Sequence, residues 1–154
     1  MKYTDTQVVF EEIPDEVTLC INVSNCPFRC PECHSKHLWD DIGDELDEAA
    51  IDFLMSRNRG VSCVCFMGHG GRSGWKEIGG YAGYIKEKYE GVKVALFSGA
   101  DSLPLDEMTV FDYVKVGPYR PESGPLNLPG TNQRMYRNTG DGWEDITRYY
   151  QTKR

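Results

Sequence analysis

The chain has no run of about 18 apolar residues, the length a helix needs to cross a bilayer, so no membrane-spanning helix is expected. Positive charge is also scarce: lysine and arginine total 17 against 24 aspartates and glutamates, a formal net charge of −7. Nucleic-acid binding needs a concentrated Lys/Arg surface to neutralise phosphates, and this balance argues against it. The opening MKYTDTQVVFEEIPDE lacks the positive start and apolar run of a secretory signal. A cytoplasmic protein is therefore expected. There is no internal repeat and no low-complexity tract. What remains is a chain of 154 residues, 40% hydrophobic and 27% charged, which reads as one globular domain over residues 1–154 that needs no disulfide to fold.

Against that background the six cysteines stand out. Nothing routes the chain to an oxidising compartment, so a disulfide framework is not expected. Cys20, Cys63 and Cys65 lie inside apolar runs and read as small buried hydrophobes. Cys26, Cys30 and Cys33 crowd into eight residues and call for another explanation.

Hydrophobic periodicity places the elements. VTLCINV, Val17 to Val23, is β-rich and reads as a strand. Leu46, Ala49, Ala50, Phe53 and Leu54 fall at helical spacing, which predicts a helix over Asp44 to Arg57, ended by Gly60. VSCVCFM, Val61 to Met67, is apolar almost throughout, as expected of a strand covered on both faces. A Gly-rich turn, GHGGRSG, leads into a second helix marked by Trp75, Ile78, Ala82, Ile85 and Tyr89. The strand VKVALFS follows, then a short helix near Ser102 and a strand from Phe111 to Val116. Residues 117–130 carry Pro118, Pro121, Pro125 and Pro129, and read as a functional or mobile loop. A strand around Gln133 to Arg137 and an amphipathic turn with Trp143, Ile146 and Tyr150 complete the chain. Strands alternating with helices predict an α/β fold with a mostly parallel sheet.

The clustered cysteines read C-x3-C-x2-C and follow a strand directly. Three thiolates in a loop stiffened by Pro27 and Pro31 suit a soft metal centre, and Arg29 helps to offset its charge. Two centres compete. Structural zinc wants four ligands and would recruit His34 or His37. An iron–sulfur cluster held by three cysteines keeps one iron open for another ligand. Gly68, Gly70 and Gly71 follow the second strand and Gly99 the third, at the sheet end that carries the cysteine loop. Backbone exposed there could hydrogen-bond a small molecule lying across the strand ends.

These segments resemble, in order, the radical S-adenosylmethionine superfamily, and within it the small activating proteins of anaerobic ribonucleoside-triphosphate reductase. SNCPFRCPECHSKHLWD, Ser24 to Asp40, is similar to that family's cluster loop. CVCFMGHGG, Cys63 to Gly71, stands where it carries a Gly-Gly-acidic turn, and ALFSGADSLP at 95–104 is similar to its next strand and turn. DYVKVGPYRPESGPLNLPGTNQR, Asp112 to Arg134, is similar to its last strand, loop and Asn-Gln-Arg signature. The resemblance implies an incomplete, open (βα) barrel of the radical S-adenosylmethionine type. It implies that Cys26, Cys30 and Cys33 bind a 4Fe–4S cluster, whose open iron chelates S-adenosylmethionine. Cofactor contacts would map to Glu32, Cys33 and His34 in the loop and to Gly68, His69 and Gly70 in the turn. One electron, from a flavodoxin or ferredoxin, would cleave the cofactor to methionine and a 5′-deoxyadenosyl radical. That radical would make a glycyl radical on the anaerobic reductase, the protein partner. The chain departs from the family at Glu32, where a glycine is usual, and at GHGG, which lacks the acidic residue. A different class of reading is a non-catalytic, zinc-stabilised α/β module that binds a partner protein. For Asn132-Gln133-Arg134, an edge-strand cap and a docking surface for the reductase both stay open.

Overall fold

In the computed structural model, residues 1–24, 41–68 and 74–152 are described. The strands are β1 (Lys2–Val9), β2 (Thr18–Val23), β3 (Asp44–Glu45), β4 (Cys63–Gly68), β5 (Lys93–Phe97), β6 (Tyr113–Val116), β7 (Arg134–Asn138) and β8 (Trp143–Asp145). The helices are α1 (Glu48–Arg57), α2 (Gly74–Lys88) and α3 (Thr147–Thr152), with a 3-10 turn at Leu105–Glu107. All eight strands join one sheet in the order β3-β1-β2-β4-β5-β6-β7-β8. The fold is α/β, as the alternation of strands and helices predicts. No helix among the described residues is long and apolar enough to cross a membrane.

The expectation of a mostly parallel sheet is corrected. The central strands β2, β4, β5 and β6 run parallel in three pairings, but four antiparallel pairings flank them: β3 with β1, β1 with β2, β6 with β7 and β7 with β8. The sheet is open, since β3 and β8 end its order and do not pair with each other. Lys2–Val9, to which the sequence pattern assigns no element, forms β1. Its residues are only partly buried, so the segment carries none of the continuous apolar signal of β4. A partly exposed antiparallel strand needs no such run.

The central strands are apolar on both faces because both faces are covered. Alternation along a strand sends Leu19, Ile21, Val64, Phe66, Val94, Leu96 and Val114 to one side, where α1 and α2 pack on them through Ile51, Leu54, Met55, Trp75, Ile78, Ala82 and Ile85. On the other side Cys20, Cys63, Cys65, Ala95, Tyr113 and Met135 meet Ile13 and Leu126, with Ile146 and Tyr150 beside them. The three thiols are therefore the buried small hydrophobes expected of them.

Helix α1 starts later than its periodicity suggests. Asp47 is its N-cap, with Oδ1 accepting the Ala50 N–H at 2.8 Å, so Asp44 and Glu45 stay outside and form β3 instead. The buried stripe shifts accordingly to Ile51, Leu54 and Met55, while Phe53 is 55% exposed beneath the Arg57 guanidinium. Asp52 joins the two helices: its carboxylate accepts hydrogen bonds from Tyr84 (2.6 Å), Tyr89 (2.5 Å) and Lys88 (2.8 Å) on and after α2. The short helix expected near Ser102 is the 3-10 turn. The expected terminal amphipathic turn divides into β8 and α3.

Candidate functional site at the carboxyl edge of the parallel strands

Four parallel strands deliver their carboxyl ends to one edge of the sheet, where loops after parallel strands carry ligand sites in α/β folds. Strands β2 and β4 are direct neighbours in register, with Asn22 opposite Met67 and Val23 opposite Gly68. The chain after β2 and the chain after β4 therefore leave from positions about 4.8 Å apart. Gly68, expected to contact a cofactor, is the last residue of β4 and has φ +95, a conformation that side-chain-bearing residues rarely adopt. The remaining expected site residues, Cys26, Cys30, Glu32, Cys33, His34, His69 and Gly70, with the candidate zinc ligand His37, lie outside the described residues. Among the described residues no group of three or more His, Cys, Asp or Glu could hold a metal ion.

The next two strand ends are braced. The Ser98 hydroxyl after β5 accepts the Ala100 N–H at 3.1 Å, and the Gly117 N–H after β6 donates to the Ala100 carbonyl at 2.6 Å. Gly117 has φ +106, and a Cβ there would lie 2.9 Å from Gln133 Cα. That space is filled by the Asn-Gln-Arg run. Asn132 Nδ2 donates to the Pro118 carbonyl at 2.9 Å, and Gln133 Nε2 donates to the Gly117 carbonyl at 3.3 Å. Arg134 opens β7 and stays exposed, 3.9 Å from Asp145. β7 is not an edge strand, because β8 lies outside it, so the edge-cap reading of this run is corrected. The two carboxamides fasten the Pro-rich loop to the end of β6. Arg120 adds a 3.1 Å ion pair to Asp101 in the neighbouring loop. A cleft of about 570 Å³ opens between the first turn of α2 and the segment after β5, walled by Trp75, Leu103 and Pro104 and rimmed by Lys76, Ser102 and Glu107.

One charged group was not singled out from sequence. Lys115 lies on β6 one residue from its carboxyl end, on the face turned away from α1 and α2, directly opposite Phe97 in the register of β5. Its ammonium sits 5.0 Å from the centre of the Phe97 ring, and no described residue hydrogen-bonds it or pairs with it. Burial pushes the Lys115 amine below its ordinary range, opposed by the electrostatic influence of Cys65 and Glu12. Glu12 Oε2 is buried on the same side without a hydrogen-bond partner among the described residues. The signal was legible in principle: a lone lysine at an inward-facing position of an otherwise apolar strand. Burial pushes the Cys63 thiol up to about 12 and raises Cys65 as well, so both are protonated thiols in the free chain.

Compared with known proteins, the chain matches no family model, no curated protein and no solved structure.

Proposed function

We propose that the chain is a radical S-adenosylmethionine enzyme, an oxidoreductase that installs a glycyl radical on anaerobic ribonucleoside-triphosphate reductase. The single observation that carries this reading is the register of β2 and β4. It makes the C-x3-C-x2-C loop and the Gly-rich turn leave from adjacent strand ends, as a site shared by a metal cluster and a small cofactor requires. Three thiolates fit an iron–sulfur cluster better than a closed structural zinc site, which would need a fourth donor. Cys26, Cys30 and Cys33 would hold the 4Fe–4S cluster, and Glu32, His34, Gly68, His69 and Gly70 would line the S-adenosylmethionine site. The chemistry supplied by the bound group is reductive cleavage of S-adenosylmethionine to methionine and a 5′-deoxyadenosyl radical, with the electron drawn from a flavodoxin or ferredoxin.

The chain's own contribution is placement. Gly68 gives the backbone at the end of β4 a conformation open to close approach by a ligand. The braced loops after β5 and β6 keep the rim of the edge fixed, which is what holding a reactive group away from competing hydrogen donors demands. A sheet that stays open at this edge leaves room for a protein substrate to complete the enclosure. The barrel type of the superfamily belongs to this same proposal.

The test is anaerobic reconstitution with iron and sulfide, followed by metal analysis and electron paramagnetic resonance of the reduced protein with and without S-adenosylmethionine. About four irons per chain and a reduced-cluster signal that shifts on adding the cofactor are expected for a cluster with one open iron. Cys26→Ala, Cys30→Ala and Cys33→Ala should each abolish that signal. Tight stoichiometric zinc with no iron uptake would overturn the proposal in favour of a zinc-stabilised binding module.

A further inference from the structure

Three of the six cysteines have no part in the proposed function. Cys20 on β2 and Cys63 and Cys65 on β4 are all buried on the face of the sheet away from α1 and α2. Parallel pairing sets Cys20 directly opposite Cys65. Opposed residues on neighbouring parallel strands lie about 4.8 Å apart and send their side chains the same way. The two Cβ atoms keep roughly that separation. A disulfide wants its Cβ atoms about 3.8 Å apart, so direct closure would have to draw two central strands together. One atom placed between the sulfurs fits the wider gap.

We propose that Cys20 and Cys65 form a two-coordinate site for a soft monovalent cation, Cu⁺ or its analogue Ag⁺, separate from the cysteine loop. The donor set selects the ion. Hard cations want oxygen ligands and zinc wants four donors, whereas no third His, Cys, Asp or Glu is gathered here in a metal-binding arrangement among the described residues. Thiolate sulfur favours Cu⁺. The surroundings fit a closed, dry site: Ile13, Ala95, Leu126 and Met135 pack against the thiols. The charge balance fits as well. Two neutral thiols lose two protons as one Cu⁺ enters, which leaves the S–Cu–S bridge with one negative charge. Lys115 reaches the same face from β6, its ammonium over the Phe97 ring and in no hydrogen bond or ion pair with a described residue, and it interacts electrostatically with both Cys65 and Glu12. Its ammonium is the counter-charge.

The experiment uses the full chain carrying Cys26→Ser, Cys30→Ser and Cys33→Ser, so that the loop thiols contribute nothing, titrated anaerobically with Cu⁺ against bicinchoninate. One tightly held Cu⁺ per chain, about two protons released per ion and an X-ray absorption signature of two sulfur neighbours are expected. Adding Cys20→Ala or Cys65→Ala should weaken binding by more than the roughly 10–100-fold that loss of an outer-shell partner costs, while Cys63→Ala should leave it nearly unchanged. Failure of the loop-thiol variant to retain Cu⁺ would overturn the proposal. So would unchanged affinity in the Cys20→Ala and Cys65→Ala variants, or three or more sulfurs around the ion. Should an alanine variant lose its native circular dichroism, the sulfur count of the parent decides alone.

Discussion

Two glycine-to-alanine substitutions, placed about 40 residues apart in the same sheet-and-helix framework, should move stability in opposite directions. At Gly117 the backbone has φ +106, and an added Cβ would stand 2.9 Å from Gln133 Cα and 3.2 Å from the Asn132 carbonyl oxygen. Holding a side-chain-bearing residue in that conformation costs about 1–3 kcal/mol. Forcing apart backbone fixed by the Asn132 and Gln133 hydrogen bonds adds about 1–3 kcal/mol, as overpacking does elsewhere. Their sum, about 2–6 kcal/mol, is a large part of the roughly 5–15 kcal/mol that holds a typical domain folded. For a chain of this size each kcal/mol moves Tm by about 2–4 °C, so Gly117→Ala should melt at least about 4 °C lower. Gly80 is the control: it is exposed within α2, and its Cβ would meet nothing within 4 Å. There alanine removes helix-interior glycine entropy and should stabilise by about 0.5–1 kcal/mol, raising Tm by roughly 1–4 °C. Differential scanning calorimetry of the two variants beside the parent reads both signs at once. A Gly117→Ala protein melting within about 2 °C of the parent would refute the account of the β6 strand end, whatever Gly80→Ala does.

Three further outcomes are expected. The hydrogen bonds from Lys88, Tyr84 and Tyr89 hold the Asp52 carboxyl down at about 2, against an ordinary value of 3.8; because the folded form has the lower value, its contribution is complete above pH 4 and lost as pH falls towards 2. Urea midpoints across that range should fall more steeply for the parent than for Asp52→Asn, and parallel slopes would count against the latch between α1 and α2. With Cys26, Cys30 and Cys33 changed to serine, a thiol reagent should find almost no reactive group in the native protein and three after denaturation, since Cys20, Cys63 and Cys65 are buried. Tyr150→Phe removes the 2.7 Å hydrogen bond to the Glu12 carbonyl and should cost about 0.5–1.5 kcal/mol in chemical denaturation; a neutral result would mean that α3 does not secure the loop before β2.

The sequence exposed the elements that have no polar face to confuse the signal. β2, β4 and β5 are buried on both sides, so an unbroken apolar run marks them within a residue or two of their observed ends. Elements that depend on a partner were harder to see. Lys2–Val9 becomes a strand because β2 and β3 pair with it, not because its own residues demand one. The start of α1 was misplaced because periodicity alone cannot tell Leu46, buried just before the helix, from a residue within it; the capping bond of Asp47 settles the boundary. For the candidate site, spacing picked out the thiolate loop, but its adjacency to the Gly-rich turn is a fact of register, which no local pattern carries. Asn132 and Gln133 were noticed as a signature, while their task of fastening the end of β6 depends on carbonyls at 117 and 118 that only the fold brings near.

The order of the sheet also bears on how the chain behaves at high concentration. A core of parallel strands as apolar as Cys63–Gly68 would pair readily with a neighbouring molecule if it lay at the margin. The margins are instead β3, two residues long and wholly Asp44 and Glu45, which covers only Lys2 and Tyr3 of β1, and β8, three residues long with Glu144 and Asp145 exposed. Short acidic borders repel their like, and the edge of β1 beyond Tyr3 opens with the polar residues Thr4, Asp5, Thr6 and Gln7, so the margins of this sheet are polar where its centre is apolar. Replacing those four carboxylates with threonine or valine would be the shortest route from this fold to a fibril.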